Sequence, residues 1–153
     1  MSKFKIASFL ILIIFFLNNC GFTPQYADFK GIDFSLNINK VEGDRELNNA
    51  ITSQLNRYNN TSLKTINLDI KTKFTSNIVS KDTTGKATKY NLKADVEFTL
   101  NTVDDTRTIK MFEEFKIDKI EDNVEENNYI RIIKRDFAEI ITEKLISNIS
   151  KNK

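Results

Sequence analysis

The chain has 153 residues, 23 of them basic and 21 acidic, for a net charge of +2, and 40% of it is apolar. That is enough for one domain with a modest core and too even a balance for a global pull toward nucleic acid. It holds no histidine and one cysteine, which removes the usual general base and the commonest metal ligand and excludes an intrachain disulfide.

In chain order the first element is a leader. Lys3 and Lys5 form a basic start, and Ile6 to Leu17 runs for 12 residues without a charge. A helix needs about 20 residues to cross a bilayer, so this run fits the apolar part of a signal peptide instead. Cys20 follows at once, with Leu17 three positions before it. The arrangement resembles a bacterial lipobox, in which the cysteine thiol is acylated, palmitate included, and cleavage leaves that cysteine as the first residue. Residues 1–19 are therefore expected to be a lipoprotein signal peptide, with Cys20 as the lipidation site. Stable anchoring follows from several acyl chains, since each buried methylene contributes about 0.8 kcal/mol. Gly21 stands where the lipobox resemblance would place an aspartate in a lipoprotein kept at the inner membrane, so the address it implies is the periplasmic side of the outer membrane. Without Lys3 and Lys5 the remaining chain is near neutral.

Gly21, Pro24 and Gly31 mark residues 20–31 as a lipidated tether. A single domain is expected over 32–150. Ile32, Phe34, Leu36 and Ile38 alternate with polar residues, as in a strand with one buried face. Asp44 is placed to cap a helix over about 45–58, whose stripe is Leu47, Ile51, Leu55 and Tyr58. Ile66, Leu68, Ile70 and Phe74 predict a second strand over about 64–79. A turn at Asp82 to Lys86 precedes the strongest alternation of the chain, Tyr90, Leu92, Ala94, Val96, Phe98 and Leu100. After a turn at Asp104 to Thr106, Ile109, Met111, Phe115 and Ile117 predict a fourth strand, interrupted at Glu113. A closing helix over about 126–149 carries Ile130, Ile133, Phe137, Ile141, Leu145 and Ile149, with acidic residues at its start and lysines near its end, as the helix dipole favours.

The order is β-α-β-β-β-α. It predicts an α+β two-layer sandwich, a four-stranded, mostly antiparallel sheet with two helices packed on one face. The expected core is Leu68, Ile70, Leu92, Val96, Phe98, Leu100, Ile133, Phe137, Ile141 and Leu145. The other face is expected to carry Lys71, Lys73, Lys89, Lys93, Asp95 and Glu97, either solvated or against a polar partner.

Catalytic residues are not expected. Glu113 and Glu114 point to opposite faces of a strand and cannot act as a pair. Asp104/Asp105 suit a turn and Glu125/Glu126 a helix start. No metal-ligand spacing, phosphate loop or activated nucleophile is present, so neither an enzyme nor a cofactor is expected. Lys81, Lys86 and Lys89 gather around the 82–86 turn, where they suit either a soluble sheet edge or anionic glycolipid phosphates.

Three stretches resemble the LptE family of lipopolysaccharide-assembly lipoproteins, in its alphaproteobacterial form. They are Cys20-Gly21-Phe22-Thr23-Pro24, the hairpin from Asp82 through Thr88-Lys89-Tyr90-Asn91-Leu92, and the acidic lead into the long helix from Glu126 to Ile149. The likeness covers most of residues 20–150. It implies a plug and assembly partner inside an LptD-type outer-membrane β-barrel, in contact with lipopolysaccharide and held to the membrane by the Cys20 lipids. By position, it implies lipopolysaccharide contact for Lys81, Lys86 and Lys89. A different class, an auxiliary periplasmic lipoprotein of a lipid-transport ABC system, shares the lipobox and the small α/β domain; the copurifying partner separates the two.

Overall fold

Four strands, two α-helices and one short 3-10 turn make up the described residues. These are 34–59, 64–103 and 105–151 of a computed structural model. The leader, Cys20, the tether and Asp104 lie outside them. β1 (Ser35–Glu42) leads through Gly43 and Asp44 into α1 (Arg45–Leu55), which the 3-10 turn Asn56–Tyr58 extends. β2 (Thr65–Lys81), β3 (Ala87–Asn101) and β4 (Thr106–Asp118) follow, and α2 (Asn123–Lys151) closes the chain. The sheet order is β1-β2-β3-β4. β1 runs parallel to β2, and the other two pairs are antiparallel. This is the expected α+β sandwich.

Local chemistry explains the boundaries. The Asp44 carboxylate accepts from the Leu47 N–H at 2.8 Å and starts α1. Asp122 accepts from the Glu125 N–H at 2.8 Å, so α2 begins at Asn123, three residues before the expected start. Gly43 turns the chain from β1 into α1 at a φ of +108°, a backbone region open to glycine and closed to most side chains.

The even positions of β2 and β3 face the helices. Ile66, Leu68, Ile70, Leu92, Ala94, Val96, Phe98 and Leu100 are buried there against the α1 stripe of Leu47, Ile51 and Leu55 and the α2 stripe of Ile133, Phe137, Ile141, Leu145 and Ile149. Every expected core residue is buried. Phe115 departs from the alternation: it lies on the inner side of the edge strand β4 and is 45% exposed, while Ile109 and Ile117 on the same side are buried. Glu113, the interruption seen in the sequence, also faces inward on β4. It is neutralised by an ion pair with Lys144 of α2.

One charge sits deep between the layers. Lys134 of α2 is buried, donates to Asp44 at 2.9 Å and to Glu46 at 3.0 Å, and lies 4.5 Å from the centre of the Phe74 ring. The cap of α1 is thereby tied to α2 and β2. Burial alone would push the Asp44 carboxyl up. The Leu47 N–H and the Lys134 ammonium more than offset this and hold it below its ordinary value of 3.8. A carboxylate whose folded pKa is depressed contributes stability above its unfolded pKa and loses it as pH falls through the folded one. Asp44→Asn keeps a capping side chain and removes the charge. The expected result is that wild-type denaturant midpoints fall more steeply than those of Asp44→Asn as pH drops below about 3.8; parallel pH profiles would count against the contribution of this pair.

Candidate functional site

The sheet face away from the helices is polar from end to end. Glu42, Lys71, Glu97 and Lys110 stand side by side across all four strands. The next rows hold Lys73, Asp95 and Phe112, then Thr75, Lys93 and Glu114, then Asn77, Asn91 and Lys116. Opposite charges alternate across the strands, whereas Lys71 and Lys73 on β2, and Asp95 and Glu97 on β3, repeat one sign along theirs. Lys110 meets Glu97 at 3.0 Å and Lys93 meets Asp95 at 2.6 Å. Amides continue the pattern toward the other end, where Asn37 donates to Asn67 at 2.8 Å. Such exposed pairs, within a strand or across strands, contribute only about 0.2–1 kcal/mol each. Their effect is to leave a flat, wettable, charge-balanced surface that can exchange its hydrogen bonds with water or with another polar wall. Phe112 is the departure from this pattern. It is 60% exposed, with the Lys93 ammonium 5.1 Å from its ring centre.

The second feature is the end of the β2–β3 hairpin. Asp82 builds it. Its carboxylate accepts from the Thr84 N–H at 2.8 Å, the Thr84 hydroxyl at 2.7 Å and the Lys86 N–H at 3.0 Å. The Thr84 hydroxyl leads in holding that carboxyl below its ordinary value. Gly85 completes the turn at a φ of +86°. Ile78 and Val79, on successive positions of β2, are 51% and 49% exposed, so this end of the hairpin projects beyond the cover of the helices.

Lys81, Lys86 and Lys89 are all exposed around this turn. Lys89 is paired to Asp118 of β4 at 2.8 Å. Lys86 lines a cleft with Asp82, Tyr90, Lys119 and Glu121. Nothing in the sequence singles out Lys119. It reaches the hairpin because the β3–β4 ladder runs on past Asp118, its N–H donating to the Thr88 carbonyl at 2.8 Å. A hydrogen bond to Glu126 at 3.1 Å keeps its ammonium above the ordinary lysine value. Only the antiparallel register reveals that neighbour, so a linear reading of charge misses it. The cluster is thus one of mixed sign, lysines interleaved with Asp82, Asp118 and Glu121. Among the described residues no group of three or more acidic, cysteine or histidine side chains is placed to hold a metal ion, and no helix is long and apolar enough to cross a membrane.

The fold has solved counterparts. Rare lipoprotein B from Shewanella oneidensis aligns with a TM-score of 0.55 at 15% identity, over 74% of this chain and 98% of that one. The domain shares its fold with that lipoprotein. A structure from Caulobacter crescentus aligns at 10% identity and a TM-score of 0.49, over 76% of this chain and 88% of that one. No protein-family model matches the chain, and no curated protein matches it.

Proposed function

We propose that this chain is an outer-membrane lipoprotein, anchored through Cys20 on the periplasmic side, that plugs an LptD-type β-barrel and assists its assembly for lipopolysaccharide transport to the outer leaflet. The observation that carries the reading is the uncovered sheet face of a fold shared with rare lipoprotein B, polar and charge-balanced across four strands. The lumen of an outer-membrane barrel is itself polar, so a wall-to-wall fit needs no apolar patch and no active site. The sequence resemblance of Cys20 to Pro24, the 82–92 hairpin and the long helix to the LptE family supports the same reading. In it the hairpin end, with Lys81, Lys86 and Lys89, points toward the glycolipid path.

Two arms of one experiment test this. Depletion of the protein is expected to lower the amount of correctly assembled barrel before other envelope proteins change, and affinity capture from detergent-solubilised membranes is expected to recover a large outer-membrane barrel. Normal barrel assembly in fully depleted cells, or capture of an inner-membrane ATPase complex in its place, overturns the plug. Charge reversal at Lys81, Lys86 and Lys89 together is expected to weaken lipopolysaccharide binding. It should leave stability within about 0.5 kcal/mol, as exposed substitutions usually do. Unchanged binding retires the lysine assignment alone.

A further inference from the structure

The two edges of the sheet differ in kind. β1 is short, with 8 residues, and its pairing with β2 slips between Ile38 and Lys40. Shortness, a bulge and polar side chains are the usual means by which an edge strand avoids pairing with another chain. β4 has none of the first two. It runs for 13 residues and pairs with β3 without a register shift from Thr106 to Asp118. It also carries Phe112 and Phe115, 60% and 45% exposed. A long, flat edge bearing exposed aromatics invites a further strand.

We propose that β4 pairs antiparallel with β4 of a second copy of this chain, about a two-fold axis at Phe112, joining the two sheets into one of eight strands. The pattern of β4 selects that register. With Phe112 facing Phe112, Lys110 of each copy lies opposite Glu114 of the other, and Ile109 lies opposite Phe115. Both contacts occur twice by symmetry. The charged pair falls on the polar face and the apolar pair on the helix side, as the alternation of a strand requires. Moving the axis by one or two residues spoils this. About Glu113, Lys110 meets Lys116 and Glu113 meets itself; about Glu114 or Lys110, a like-charged pair sits on the axis. About Met111, Lys110 faces Phe112 and no pair of opposite charges forms. The chosen register does set Met111 opposite Glu113. Glu113 points inward, where a bare charge would oppose pairing, but Lys144 of its own chain neutralises it. Lys110 spans from Glu97 and stays 78% exposed, and Glu114 is held only at 3.3 Å by the Asn91 amide, so both reach across the axis at little cost. This association belongs to the chain on its own and stands or falls apart from the barrel plug.

Sedimentation equilibrium of the full-length chain in detergent tests it. The expected result is a reversible dimer. Lys110→Glu and Glu114→Lys should each weaken it about tenfold by placing like charges opposite one another twice, and the double exchange should return the affinity to within about threefold of wild type. A chain that stays monomeric at every concentration overturns the proposal and leaves the edge to a foreign strand. A dimer indifferent to both single reversals overturns it too, since the contact then lies elsewhere. Hydrogen exchange on the wild-type chain decides the same question without any variant: protection of the β4 amides must rise with protein concentration, and flat protection refutes the pairing.

Discussion

Gly43→Ala is expected to destabilise the domain by about 2–6 kcal/mol, the sum of roughly 1–3 for a non-glycine residue held at positive φ and roughly 1–3 for overpacking. The added methyl has no room. It would stand 1.8 Å from the Thr72 carbonyl oxygen and 2.8 Å from the Thr72 hydroxyl oxygen. Backbone cannot swing aside as a long side chain does, so either β2 shifts or the β1–α1 turn opens. The same place holds a buried polar lock, with the Thr72 hydroxyl donating to the Asn48 side-chain oxygen at 2.7 Å, and any shift loosens it. Gly85→Ala is the internal comparison. Its φ is +86° but nothing lies within 4 Å of the new methyl, so only the conformational part, about 1–3 kcal/mol, remains. Denaturant unfolding of the two variants separates strain from collision. Equal losses would mean that the Gly43 and Thr72 backbones do not approach so closely.

Phe137→Ala is expected to cost about 3–5 kcal/mol, through lost transfer energy and the cavity left behind. Phe137 is 5% exposed and sits mid-stripe on α2, between Ile133 and Ile141. Adjacent Ala138 is fully buried, which leaves little slack for the site to collapse. The denaturant midpoint should fall with the slope unchanged, the sign of a loss in stability without a change in the surface exposed on unfolding. A loss under about 1 kcal/mol would place this helix face outside the core.

Much of the fold is legible residue by residue. The six-step alternation from Tyr90 to Leu100 belongs to a central strand with neighbours on both sides, where one face must be apolar throughout. Asp44 reads as a cap because its side chain has one local task. Phe115 reads rightly as an inner-side position of the fourth strand, yet it is 45% exposed, because alternation reports which side a residue takes and not how well that side is covered. Lys134 escapes a linear reading for another reason. On a helix stripe a lysine looks like a solvated neighbour, and its burial depends on Asp44 and Glu46, some ninety positions away. The candidate surface divides in the same way. Its polar rows are visible as the odd positions of β2 and β3, whereas Phe112 within them and Lys119 beside the hairpin depend on register across strands.

The parallel pairing of β1 with β2 also orders events in time. β2, β3 and β4 are joined by tight turns, so each pair can zip from its tip. β1 reaches β2 only after the chain has travelled out through α1 and back, so that facing residues such as Asn37 and Asn67 stand 30 positions apart. Closing that longer loop costs more entropy before any contact offsets it. The strand that comes first in the chain is therefore expected to be the last secured during folding. When the domain loosens, β1 is held by its ladder to β2, by buried Leu36 and by the lock at Gly43, Asn48 and Thr72.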